Sequence, residues 1–195
     1  MDTYRCYADL ASAEREGIDY EKVIQPVTGA QVAVIAPHGG GIEPGTDTIA
    51  AAVAGENFSY YHFRGCKPAN NSQLHITSHR FDEPDCVALL ACHNWVVAIH
   101  GCNDDGEQVF LGGLDTELIA DIVSALTAAG IRTETYGHDY PGTHASNICN
   151  RGAAAKGVQI ELSRAFRDGL KIDAFVQAVR SVLLVRQAMT ALPDR

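Results

Sequence analysis

Apolar positions along this chain follow two rhythms. Short, mostly apolar runs, Gln31–Ala36 ("QVAVIA"), Trp95–His100 ("WVVAIH") and Val158–Leu162 ("VQIEL"), have the length and β-branched content of strands. Elsewhere apolar residues recur every three to four positions. Leu118, Ile119, Ile122, Val123 and Leu126 mark one face of a helix over Asp115–Ala129, with Asp115 as cap and Gly130 as stop. Ile172, Phe175, Val176, Val179 and Leu183 mark a final amphipathic helix. Glu21–Val27, Tyr60–Phe63, Leu74–Thr77, Gln108–Leu111 and Ile131–Tyr136 read as further strands. Thr46–Gly55 and Cys86–Cys92 read as short helices. Turns are expected at Thr28-Gly29, joining the first two strands, and at Asn103–Gly106. "GHDYPGTHASNICNRG" reads as a long loop. Alternating strands and helices predict an α/β fold: a single domain over residues 1–195, with a central mixed, mostly parallel sheet flanked by helices.

Composition narrows the class. Of 195 residues, 46% are apolar, which suits a folded domain with its own core. No apolar run approaches the roughly 20 residues that span a membrane. The first 25 residues carry Asp2, Arg5, Asp9, Glu14, Arg15 and Glu16, so a signal-peptide core is not expected. A cytoplasmic location follows as the expectation, with release on cell lysis left open. A net charge of −9 argues against a nucleic-acid-binding surface. The six cysteines form no C-x-x-C pair and read as reduced thiols. Oligomeric state has no signature here.

The chemistry concentrates at the ends of the strands. In open α/β sheets, ligands bind beyond the carboxyl ends of the strands. His38 follows one buried run, in "VAVIAPHGGGIEPGT", His100 ends another, and Glu161 lies near the end of a third. Glycines 39 to 41 would let the next loop turn tightly and return Glu43 beside His38. Two histidines and a carboxylate with an open fourth position form a ligand set for catalytic zinc. A further carboxylate beside it, Glu161, suits a general base. Two other readings of the glycine run are weaker. It has neither G-x-G-x-x-G nor G-K-[ST] for phosphate, and "HGGG" lacks the G-x-S-x-G elbow of a serine esterase. His75 and His79 would share a strand face, lining a site or lying in solvent. His138 and His144 fall in the long loop with Asp139, and His62 and His93 carry no functional reading.

The stretch "AVIAPHGGGIEPGT", with "EGIDY", "YYHFRG", "LHITSHRFDEP", "AIHG", "LGGLD", "NICNRG" and "VQIELSRAFR", resembles the poly-γ-glutamate hydrolase family in order from Gly17 to Arg167. Pro37, before His38, departs from the pattern and stiffens the loop. The resemblance implies a zinc-carboxypeptidase-like fold and one Zn2+ ion. It implies zinc ligands at His38, Glu43 and His100 and a catalytic carboxylate at Glu161. It also implies hydrolysis of γ-glutamyl amide bonds. Such a polymer carries a free carboxylate on every residue, which calls for arginine. Arg151 is the first candidate, helped by Asn147 or Asn150, with Arg80 and Arg167 next. The alternatives are a deacylase of a small N-acyl amino acid, to which the negative net charge lends some weight, and a non-catalytic metal- or polyanion-binding protein.

Overall fold

A computed structural model describes residues 2–189; position 1 and positions 190–195 of the expected domain lie outside the described residues. Among these residues, six strands form one sheet: β1 (Tyr20–Gln25), β2 (Val32–Gly40), β3 (Ser59–Gly65), β4 (Trp95–Cys102), β5 (Val109–Gly113) and β6 (Val158–Ser163), in the order β1-β3-β2-β4-β6-β5. The four central strands run parallel, and β1 and β5 close the edges antiparallel. β1 therefore does not pair with β2, the strand that follows it. The Thr28-Gly29 turn carries the chain over β3, because a parallel β2–β3–β4 core leaves β1 only the outer edge of β3.

Among the described residues, six helices cover the sheet: α1 (Tyr7–Ala13), α2 (Thr46–Ala54), α3 (Pro84–Leu90), α4 (Thr116–Ala128), α5 (Arg164–Arg167) and α6 (Ile172–Met189). Strand alternation divides the core in two. Val34, Ala36, Val97, Ile99, Ile160 and Leu162 pack on α2, α4 and α6, through Ile49, Leu118, Ile122, Phe175 and Val179. Ala33, Ile35, Tyr61, Phe63, Val96 and Ala98 pack on the other face, against Leu10, Leu74, Ile76, Phe81, Leu90 and Ile148. The caps follow the sequence: Asp115 accepts from Leu118 N–H at 3.2 Å, and Glu83, ahead of Pro84, accepts from Cys86 N–H at 2.8 Å.

Two expected strands are absent as such. Residues 71–74 form a 3₁₀ turn and 75–77 run extended without a ladder; Leu74 and Ile76 alternate because they are buried, not because they pair. Residues 131–136 make only a single bridge, Glu134 to Phe110 along the outer edge of β5. Helix α1 escapes a periodicity search because it buries only Leu10. Among the described residues, no helix is long and apolar enough to cross a membrane.

Candidate metal centre

The site begins where β2 and β4 part. Their pairing ends at Ile35–Ala98, one residue after which the β2–β3 register shifts, between Ala36 and Gly39. Pro37 sits inside that shift and has no N–H for either ladder. The irregularity changes the face of His38. Simple alternation would set it beside Ala36, under α2. Instead its ring reaches the opposite face, where Nε2 donates to the Ile76 carbonyl at 2.8 Å and the ring meets Phe81 edge-on.

The glycines then return Glu43. Gly40 has φ +61°, and a Cβ there would stand 2.5 Å from the Gly65 carbonyl oxygen, so this position admits no side chain. Gly41 N–H donates to Gly65 O at 3.0 Å and Glu43 N–H donates to His38 O at 2.9 Å, closing the turn that feeds α2. Glu43 Oε1 lies 3.1 Å from His38 Nδ1, and Oε2 accepts from Gly101 N–H at 2.8 Å. His100, on β4, brings its Nδ1 to 3.2 Å from His38 Nδ1 and 3.7 Å from Glu43 Oε2.

A carbonyl oxygen can only accept, so the His38 proton sits on Nε2 and, in the neutral ring, Nδ1 is a bare lone pair. That lone pair faces a carboxylate oxygen and a second imidazole nitrogen in a buried spot. Such a set is stable only with positive charge between its members, and it fits a metal ion. His75 joins from the rim. Its Nδ1 donates to Asp2 Oδ1 at 2.8 Å, its Nε2 lies 3.9 Å from Glu43 Oε1, and its ring centroid is 4.1 Å from that of His38. One ligand atom each from His38, Glu43 and His75 falls within 4.8 Å of the others. Asp2 is held by the N–H and hydroxyl of Thr77, at 2.8 and 2.7 Å, and by Arg80.

Glu161 stands opposite His100 in the β4–β6 register, its side chain on the same face. Burial pushes its carboxyl up; the His100 ring draws it down and Glu43 pushes it up again. For His100, burial disfavours the charged ring, but Glu161 and Glu43 together raise its pKa. Burial also works against the Glu43 anion, yet His38 and His100 keep it well below the usual carboxylate range.

Two cavities flank Glu43. The first, of about 530 Å³, contains Glu161, His100, His79, Tyr140 and His144. The second, of about 500 Å³, contains Asp2, Arg164 and Arg167. Glu43, His75, Gly101 and Asn103 border both. Arg167 lies across Gly101, where a Cβ would meet its Nη1 at 2.0 Å. Its guanidinium donates to the carbonyls of Pro44 at 3.1 Å and Cys102 at 3.2 Å. It has no carboxylate within 4.0 Å among the described residues.

The other basic and amide candidates are placed differently. Arg151 lines neither cavity; its Nη1 donates to the Phe81 carbonyl at 3.4 Å. Arg80 also lines neither and is neutralised by Asp2. Asn150 is buried and fully engaged. Its amide holds the carbonyls of Gly142 and His144, and its oxygen takes the N–H groups of Leu114 and Gly157. It shapes the cavity wall. Asn147 does line the first cavity, but its amide is bonded to Gln159. His138 lies away from the centre, against Phe110.

Comparison with known proteins places the fold and the family. The six-stranded mixed sheet with helices on both faces defines an α/β fold found in other solved proteins. The N-formylglutamate amidohydrolase of Ralstonia eutropha JMP134 shares the fold at a TM-score of 0.58, with 10% identity over 89% of this chain and 98% of that one. The chain belongs to the poly-gamma-glutamate hydrolase family, whose family model matches residues 4–180. A bacteriophage poly-gamma-glutamate hydrolase superposes at a TM-score of 0.91, with 33% identity, covering 97% of this chain and all of that one. The UPF0714 protein YndL of Bacillus subtilis (strain 168) is 39% identical over 171 residues, 87% of this chain and 67% of YndL. Its zinc-free apo structure superposes at a TM-score of 0.82, with 30% identity over 99% of this chain and 100% of that one. The chain is a hydrolase of this family.

Proposed function

We propose that the chain is a zinc-dependent hydrolase of γ-glutamyl amide bonds in poly-γ-glutamate, with His38, Glu43 and His100 holding one ion and Glu161 acting as base. One observation carries the reading: the bare Nδ1 of His38, fixed by the Ile76 carbonyl, aimed at Glu43 and His100 in a buried pocket. A family relative whose apo structure is specified as zinc-free supports zinc as the ion. When bound there, zinc polarises the amide carbonyl and lowers the pKa of a bound water.

The chain's own residues do the rest. Glu161 takes a proton from the attacking water. It returns that proton to the leaving nitrogen as the C–N bond breaks, leaving a carboxylic acid and an amine. Burial supports the role, because it brings the proton affinity of Glu161 towards that of a group exchanging protons near neutral pH. Cavities on both sides of Glu43 suit an extended substrate. Arg167, a half-buried cation with no carboxylate within 4.0 Å among the described residues, is the residue proposed to meet an α-carboxylate on the second side.

The test is the chain length of poly-γ-glutamate after incubation with the purified protein, with chelator, and after zinc add-back. Chelator-sensitive shortening restored by zinc is expected. Intact polymer alongside cleavage of a small N-acyl glutamate would replace the polymer with the small substrate. Hydrolysis of neither by the zinc-loaded protein would overturn the reading.

A further inference from the structure

We propose that Asn147 and Gln159 form a one-way amide relay that reserves one oxygen of Glu161, Oε2, for the proton. The inference rests on Glu161 being the base. The relay starts at a backbone N–H that can only donate: Cys149 N gives its hydrogen to Asn147 Oδ1 at 3.1 Å. That fixes the Asn147 amide, so its Nδ2 donates to Gln159 Oε1 at 2.8 Å. Gln159 is then fixed in turn, and its Nε2 donates to Glu161 Oε1 at 3.0 Å. All three side chains are buried. Reversing either amide would set oxygen against oxygen or N–H against N–H, and a buried polar group left unpaired is costly.

The origin of the relay is anchored. Asn147 caps the 3₁₀ turn at 148–150, and the next residue, Ile148, donates N–H to Ser78 O at 2.9 Å. The polarity set at Cys149 therefore reaches Glu161 unchanged. Oε1 is held as an acceptor, so a proton taken from water settles on Oε2. Gln159 and Asn147 are positioning residues: Gln159 bonds to the base, and Asn147 acts through Gln159.

Asn147→Asp tests the polarity. Its second oxygen would turn the Gln159 amide round and present a carbonyl to Glu161. Per zinc-loaded molecule, kcat on poly-γ-glutamate should fall about 10- to 100-fold, with KM and zinc affinity within about threefold of the parent. Gln159→Met, which breaks the relay, should lower kcat comparably, and adding Asn147→Asp to it should change kcat less than about twofold. In the unaltered protein, the side-chain amide protons of both residues should exchange slowly by NMR, a readout that needs no variant to fold. A wild-type kcat in Asn147→Asp, multiplicative losses in the double variant, or freely exchanging amides would overturn the relay. A fully active Glu161→Gln would instead remove the base reading on which the relay rests.

Discussion

The Nδ1 atoms of His38 and His100 lie 3.2 Å apart. Two nitrogens bound to one tetrahedral zinc ion at about 2.0–2.1 Å stand about 3.3 Å from each other. Glu43 adds Oε1 at 3.1 Å from His38 Nδ1 and Oε2 at 3.7 Å from His100 Nδ1. On the proposed assignment, the scaffold holds the two histidine donors near their liganded spacing. Zinc at about 100 times its dissociation constant should add about 2.7 kcal/mol of stability. Calorimetry should show a melting temperature higher by about 5–10 °C than in chelator. Equal melting temperatures would contradict a site on the folded chain.

Removing a donor should be far more damaging than removing a neighbour. His38→Ala and His100→Ala should each lose more than about 100-fold in zinc affinity, measured by competition with a chromophoric chelator, since even outer-shell partners are worth 10- to 100-fold. Arg151→Ala, whose side chain lines neither cavity and donates to the Phe81 carbonyl, should bind zinc and cleave polymer as the parent does.

The tight turn that returns Glu43 depends on Gly40. With φ at +61° and the Gly65 carbonyl in the way, Gly40→Ala should cost about 1–3 kcal/mol for the backbone conformation alone. Displacement of Glu43 should weaken zinc binding as well. Urea unfolding and the chelator competition read the two effects separately; an unchanged midpoint would refute the first.

Asp2 anchors the rim and should give the protein an acid-sensitive limb. Burial opposes its charge, but the Thr77 hydroxyl, the Thr77 N–H and His75 together hold its pKa well below the usual range. A depressed carboxyl stabilises the folded state above its unfolded pKa of about 3.9, and that stability is lost as pH falls below it. Asp2→Ala leaves His75, Thr77 and Arg80 without their acceptor. It should cost about 1–3 kcal/mol at neutral pH, roughly 2–10 °C in melting temperature. The melting temperature of the variant should also change less than the parent's between pH 5 and about pH 3. A parallel decline in both would contradict the assignment.

Much of this frame is legible in the residues. Mostly apolar runs mark β2, β4 and β6, and the polar residues within them, His100 and Glu161, stand out. What local pattern conceals is geometry made at a distance. Nothing in "VIAPHGGG" says that the strand slips register at Pro37 and turns His38 to the opposite face. Asp2 meets His75 across 73 positions, which no periodicity reports. Gln159 did leave a trace, as a polar residue two before Glu161 on the same strand face, but composition alone does not separate it from a chance polar position. Arg151 misleads because closeness to Glu161 in the chain says nothing of where a long side chain turns.

Glu161→Gln is the most direct test of the central claim, read on the same preparation for zinc content by elemental analysis and for polymer shortening. One zinc per chain is expected, as in the parent, with hydrolysis reduced by about 10²–10⁴-fold, the usual worth of a general base. Shortening at the parental rate with zinc in place would contradict that claim.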